Sequence, residues 1–135
     1  MPTLMADHNA EGHLQVLLSV WTRPDWSSFW SAASCDIEAF EALEISEDES
    51  DEFIWKLCQA RGILLLTCNR NDDGEDSLES VIRRAGTAAS LPVFTIADPD
   101  RVIREREYAE RVAARLIEYI YDLENMRGAG RLYLP

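Results

Sequence analysis

The chain has 135 residues, 47% of them hydrophobic, and a net charge of −12, which suits one globular domain spanning 1–135 with room for a sizeable core. No run approaches the roughly 18 apolar residues of a membrane span, and Asp7 interrupts any signal-like start. Residues 1–60 hold two basic side chains against twelve acids, and residues 61–135 hold eleven arginines against thirteen acids, a balance that argues against a general nucleic-acid surface.

Residues 3–6 read as a first strand, running into Asp7-His8-Asn9. Residues 11–20, with Leu14, Leu17 and Leu18 on one side, read as a helix that Thr22-Arg-Pro-Asp25 breaks. Residues 26–33 carry Trp26, Phe29 and Trp30 and read as a short helical turn or a packed loop. Residues 35–43 fit a helix by period, yet Cys35, Ile37 and Ala39 also alternate, and a second strand is the preferred reading. An acidic run, six acids in residues 44–52, offers helix starts at Ser46-Glu49 and Ser50-Asp51. The helix that follows, through Phe53, Ile54, Leu57 and Cys58, stops at Gly62.

Residues 63–67 read as a strand, its apolar run Ile63 to Leu66 as expected of a strand buried on both faces of a parallel sheet. Asp76 and Glu79 fit a cap for a helix over 78–85. Residues 91–97 read as the next strand, and Asp98-Pro99 opens one long helix to about Glu124, with Ala109, Val112, Ala113, Leu116, Ile117 and Ile120 in its apolar stripe. Residues 131–135 form a closing strand. This alternation predicts a three-layer α/β/α sandwich with a mostly parallel sheet.

In such sheets ligands bind outside the carboxyl ends of the strands. Asp7 ends the first strand, with Asn9 close behind. Asp51 and Glu52 open a helix, Asn69, Asn71, Asp72 and Asp73 follow the third strand, and Asp98 follows the fourth. Oxygen donors of this kind suit Mg²⁺ or Mn²⁺, which activate water and offset charge on a phosphate. Each has a plainer reading beside it. Asp51 and Asp98 serve equally as helix caps, and Asp72-Asp73-Gly74 serves as a turn.

His8 and His13 lack a third partner with zinc spacing. Cys35, Cys58 and Cys68 share no metal spacing and read as reduced thiols of a cytoplasmic protein; Cys68 reads as a small buried residue rather than a nucleophile. Lys56, the only lysine, falls inside a helix, which weakens a phospho-acceptor role for Asp7. Arg101, Arg104, Arg111 and Arg115 recur at helical spacing, either as an arginine face or as a solvated face laced with glutamates.

The opening Leu4-Met5-Ala6-Asp7-His8-Asn9, the helix start Ser50-Asp51-Glu52 and the strand end Leu65-Leu66-Thr67-Cys68-Asn69-Arg70-Asn71 together resemble the PIN-like domains, in particular a small bacterial branch of that superfamily. The similarity extends through Asp76-Ser-Leu-Glu79 to the closing segment 127–135. It implies an α/β/α fold and a Mg²⁺- or Mn²⁺-dependent RNase, often a toxin paired with an antitoxin. Asp7 and Asp51 match the family's acidic positions, which implies catalytic positions at Asp7, Asp51 and Asn69 with Asp7 and Asp51 as metal ligands; Asp73 and Asp98 are the further metal ligands expected to make up the charge, with Asn9, Asn71 and Asp72 in support. The related active pattern carries Asp where this chain has Asn69, and a second acid where it has Asn71. The competing expectation is a non-catalytic module binding a protein partner or a second copy of itself through Trp26 or Trp30.

Overall fold

The computed structural model describes residues 2–46, 48–69 and 77–135. Five strands, β1 (Thr3–Ala6), β2 (Asp36–Glu38), β3 (Ile63–Thr67), β4 (Val93–Ile96) and β5 (Arg131–Leu134), form one sheet in the order β2-β1-β3-β4-β5. Every pairing is parallel. The helices are α1 (Glu11–Trp21), α2 (Ser27–Ala33), α3 (Asp51–Arg61), α4 (Leu78–Ala85), α5 (Pro99–Arg104), α6 (Arg106–Tyr121) and α7 (Leu123–Met126). They cover both faces, so the fold is the expected α/β/α sandwich.

Side chains alternate across a pleated strand, and this sorts the sheet residues into two sets. Leu4, Ala6, Leu64, Leu66, Phe94, Ile96 and Leu134 pack under α1, α5 and α6. There Trp21 is fully buried, stacks on Trp30 at 4.5 Å and donates its indole N–H to Ala113 O at 3.1 Å. Met5, Ile63, Leu65 and Val93 pack under α3 and α4 with Ile54, Trp55, Val81 and Ile82. The two apolar layers hold the sheet at roughly 1.5–3 kcal/mol per buried large side chain.

The ends of α3 follow local chemistry. Ser50 Oγ accepts from Phe53 N at 3.1 Å, and Gly62, at φ +68, turns its N–H back to Cys58 O and Gln59 O. The left-handed backbone at residue 62 is one that glycine takes without a Cβ clash. The Gln59 amide then pairs with both backbone groups of Leu91, at 2.9 Å each, tying α3 to the entry of β4.

Three details depart from expectation. The strand read at 35–43 is only Asp36–Glu38, followed by a 3₁₀ turn at Phe40–Leu43. Phe40 is buried with Ile45 and Trp55, and the chain must turn after Glu38 to bring it there. The single long helix expected to about Glu124 is three: α5 and α6 are separated by an extended Glu105 at φ −123, ψ 109, and α6 ends at Tyr121, with Asp122 between it and the short α7. Glu105 N still bonds to Arg101 O, and Ala109 N to Glu105 O, so few hydrogen bonds are lost and no proline or glycine marks the break. The cap of α4 is Ser77, whose Oγ accepts from Ser80 N at 3.2 Å; Asp76, expected in that role, lies outside the described residues.

The connections also differ in hand. From β1 to β2 the chain crosses the α1 face in one direction. From β2 to β3 and from β3 to β4 it steps the other way over the α3–α4 face, which is the same hand. From β4 to β5 it continues in that second direction, yet α5 and α6 lie on the α1 face. This last crossover therefore has the opposite hand to the other three, against the strong preference of parallel units. Its consequence is local: the α3–α4 side of β5 receives no helix from its own connection.

Candidate functional site

Asp7 continues the sheet one residue past β1, with its N–H bonded to Leu66 O at 2.8 Å. Its side chain falls on the α3–α4 face by the same alternation that places Met5 there. It is buried, 5% exposed, and its oxygens are held from three directions. Oδ1 accepts from His8 N at 2.8 Å and lies 3.1 Å from His8 Nδ1, while Thr67 Oγ1 donates to Oδ2 at 3.2 Å. Asn9 Oδ1 accepts from Cys68 N at 3.2 Å, which pins the turn after β1 to the end of β3.

Asp51 approaches from above, at the N-terminus of α3. Its Oδ2 accepts from Asn69 Nδ2 at 3.1 Å, and the backbone of Leu78 at the start of α4 also bonds to it. Burial pushes the Asp51 carboxyl above its ordinary 3.8, the Asn69 hydrogen bond opposes that rise, and the nearby negative charge of Asp7 adds to it. The residues at positions 7, 51 and 69 thus meet at one rim, formed by the ends of β1 and β3 and the starts of α3 and α4.

Three further residues complete the rim without having been singled out in the sequence. Thr67 and Thr95 are fully buried hydroxyls on otherwise apolar strands. Arg131, at the start of β5, reaches across β4 and donates through Nη1 to Asn69 O at 2.6 Å and to Thr95 Oγ1 at 3.2 Å. Its Nε lies 3.4 Å from Glu79 Oε1, an ion pair outside hydrogen-bond geometry. The available signal was the parity of residues 5, 7, 65, 67, 93 and 95, which changes from apolar to polar at the rim; Arg131 shares that face but lies in the row of Leu65 and Val93.

Asp98 stands apart. Its Oδ1 accepts from Arg101 N at 3.4 Å as the cap of α5, and α5 packs with α1 and α6 on the opposite face of the sheet from Asp51. Asn71, Asp72 and Asp73 lie outside the described residues. Among the described residues no group of three or more His, Cys, Asp and Glu side chains is placed to hold a metal ion. The donor set among the described residues, the carboxylates of Asp7 and Asp51 linked through Thr67 and Asn69, with the amides of Asn69 and Asn9, still fits a hard divalent cation, since Mg²⁺ commonly takes one or two carboxylates and keeps its remaining waters. The mutual repulsion expressed at Asp51 is what such a cation would relieve.

Burial, reinforced by the charge of Asp7, pushes the Cys68 thiol up to about 11. Cys58 rises to about 12 from the same two causes. Neither is a thiolate near neutrality, so neither is an activated nucleophile. The arginines on α5 and α6 are laced with glutamates: Arg101 holds Glu105 at 3.0 Å, and Arg115 lies 3.7 Å from Glu118. No helix among the described residues is long and apolar enough to cross a membrane.

Compared with known proteins, the chain matches no family model, no curated protein and no solved structure.

The rim makes a pH prediction. The folded protein binds a proton at Asp51 more tightly than the unfolded chain does, so stability falls as pH rises from 3.8 through the raised value. A carboxyl ¹³C titration should find Asp51 above 3.8, and Asp7→Asn should lower its midpoint. An unchanged midpoint in the variant would mean the two carboxylates do not interact.

Proposed function

We propose that this protein is a PIN-like, metal-dependent phosphodiesterase acting on RNA, with Asp7 and Asp51 as the rim carboxylates among the described residues. The observation that carries the reading is that Asp7, at the end of β1, and Asp51, at the start of α3, meet at one rim through Thr67 and Asn69, near enough for the charge of Asp7 to raise the Asp51 carboxyl. In this reading Asp7 and Asp51 hold a Mg²⁺ or Mn²⁺ ion. When bound, the ion would supply positive charge against the scissile phosphate. Thr67 and the His8 N–H fix the orientation of Asp7, and the Asn69 amide fixes Asp51. An asparagine in place of a third carboxylate lowers the charge at the site, so affinity should be weak, in the range of about 10⁻⁴–10⁻³ M.

The test is isothermal titration of Mn²⁺ into the metal-free protein, together with cleavage of single-stranded RNA in Mn²⁺ and in EDTA. Saturable Mn²⁺ binding with slow, EDTA-sensitive cleavage is expected. Neither binding nor cleavage at millimolar Mn²⁺ would remove the reading.

A second reading, a non-catalytic interaction module, is favoured by a different observation. Trp26, Phe29, Ile117 and Tyr121 line an apolar depression between α2 and α6, with Phe29 56% and Tyr121 53% exposed. Trp26 and Trp30 are only partly buried, whereas Trp21 and Trp55 belong to the core. Mn²⁺ binding without cleavage, combined with concentration-dependent sedimentation that Phe29→Ser abolishes, would decide for this reading.

A further inference from the structure

The opposite hand of the β4–β5 crossover leaves a groove on the α3–α4 side of β5. Its volume is about 440 Å³, and its walls include Trp55, Glu79, Arg83, Gly130, Arg131 and Tyr133. This is the size of a small-molecule site, far larger than the ~30 Å³ share of one water. Gly128 and Gly130, both at positive φ, shape its floor; a Cβ at Gly128 would press to 3.0 Å from Ala88 O.

Two walls carry buried donors that make no hydrogen bond among the described residues. The Arg131 side chain is only 4% exposed, yet its Nη2 has no hydrogen-bond partner there, its Nε has only the ion pair with Glu79, and the indole Nε1 of Trp55 has none. Unmet donors in one place are costly, at about 1–3 kcal/mol each, and they define the chemistry of what is missing: an acceptor. The charge balance narrows the class. Among the described lining residues Arg83 and Arg131 face one carboxylate, Glu79, which leaves these walls locally positive in a chain of net charge −12.

We propose that this groove binds the phosphate group of a small phosphorylated ligand, with the Arg131 guanidinium as its anchor and the Trp55 indole as a second donor. A phosphate accepts from a guanidinium through charge-assisted hydrogen bonds. Nη2 has no partner to lose, so the ligand gains that bond without breaking one. Glu79 holds Nε from the other side and limits the affinity. The groove adjoins the acid rim at Arg131, and its proposed ligand binds whether or not the rim hydrolyses anything. The two share Arg131, which touches the rim only through Nη1.

The experiment follows the four tryptophan indole N–H signals by ¹⁵N–¹H correlation NMR in EDTA, so that rim metal plays no part. The probes are inorganic phosphate, adenosine 5′-monophosphate and adenosine. Phosphate and the monophosphate should move the Trp55 signal saturably, leaving Trp21 in place, and adenosine should not. Trp55→Phe, which keeps an aromatic ring in the core, should weaken monophosphate binding about fivefold, read by calorimetry. Arg131→Met, checked for an intact fold, should weaken it about a hundredfold. No saturable shift with either phosphate, a shift with adenosine equal to that with the monophosphate, or unchanged affinity in Trp55→Phe would each overturn the proposal and leave the groove to water.

Discussion

Asp7→Asn should abolish Mn²⁺-dependent cleavage and weaken Mn²⁺ binding about a hundredfold, while the protein remains folded. The magnitude follows from charge. A carboxylate beside a cation is worth several kcal/mol per unit charge at an effective dielectric of about 20, before desolvation reduces it, and among the described residues the rim has two such groups, Asp7 and Asp51. The shape hardly changes, because the amide is nearly isosteric. Its oxygen can still accept from His8 N, and the Thr67 hydroxyl can rotate to accept from the new amide N–H where it now donates to Oδ2. Removing the charge also relieves Asp51 of one of the causes of its raised pKa. The melting temperature in EDTA should therefore hold or rise slightly, which separates a lost ligand from a damaged fold. Cleavage that persists in this variant would assign the reaction to another part of the molecule, or to a contaminant.

How much of this was legible in the chain depends on whether the signal was local. β1 and β3 are short apolar runs ended by polar residues, and their limits at Ala6 and Thr67 coincide with the expected ones. Ser50 and Gly62 bracket α3 by capping chemistry that depends on neighbours three or four residues away. The convergence of Asp7, Asp51 and Asn69 needed only the general geometry of a parallel sheet, in which strand ends and following helix starts share an edge. Asp98 shares that edge too, but the hand of the last crossover carries α5 to the other face, and hand is not written in hydrophobic period. Arg131 required more still. Its role depends on β5 pairing with β4 in the register Val93 opposite Arg131, a contact between residues 38 positions apart that lets a long side chain span two strands to reach Asn69. The Glu105 break was invisible for the reverse reason: the helical period passes through it almost undisturbed.

Asn69→Asp should show the opposite behaviour in the absence and presence of metal. In EDTA a third carboxylate replaces an amide that now donates to Asp51 at 3.1 Å, so a favourable hydrogen bond becomes a like-charge contact. The Asp51 carboxyl should titrate higher still, and stability near neutral pH should fall by about 1–2 kcal/mol. Arg131 softens this, because its guanidinium sits against the backbone of the same residue. With Mn²⁺ present the added charge works for the protein. Affinity should rise about tenfold or more, and because the ligands must be ionised the gain should grow as pH rises through the raised carboxyl range. Saturating Mn²⁺ should then lift the melting temperature of Asn69→Asp more than that of the parent, since binding to the folded state alone adds stability as the logarithm of ligand over dissociation constant. Faster RNA cleavage should accompany it. A variant that is destabilised in EDTA but binds Mn²⁺ no better would mean that the carboxylates meet without forming a metal site, and the phosphodiesterase reading would fall with it.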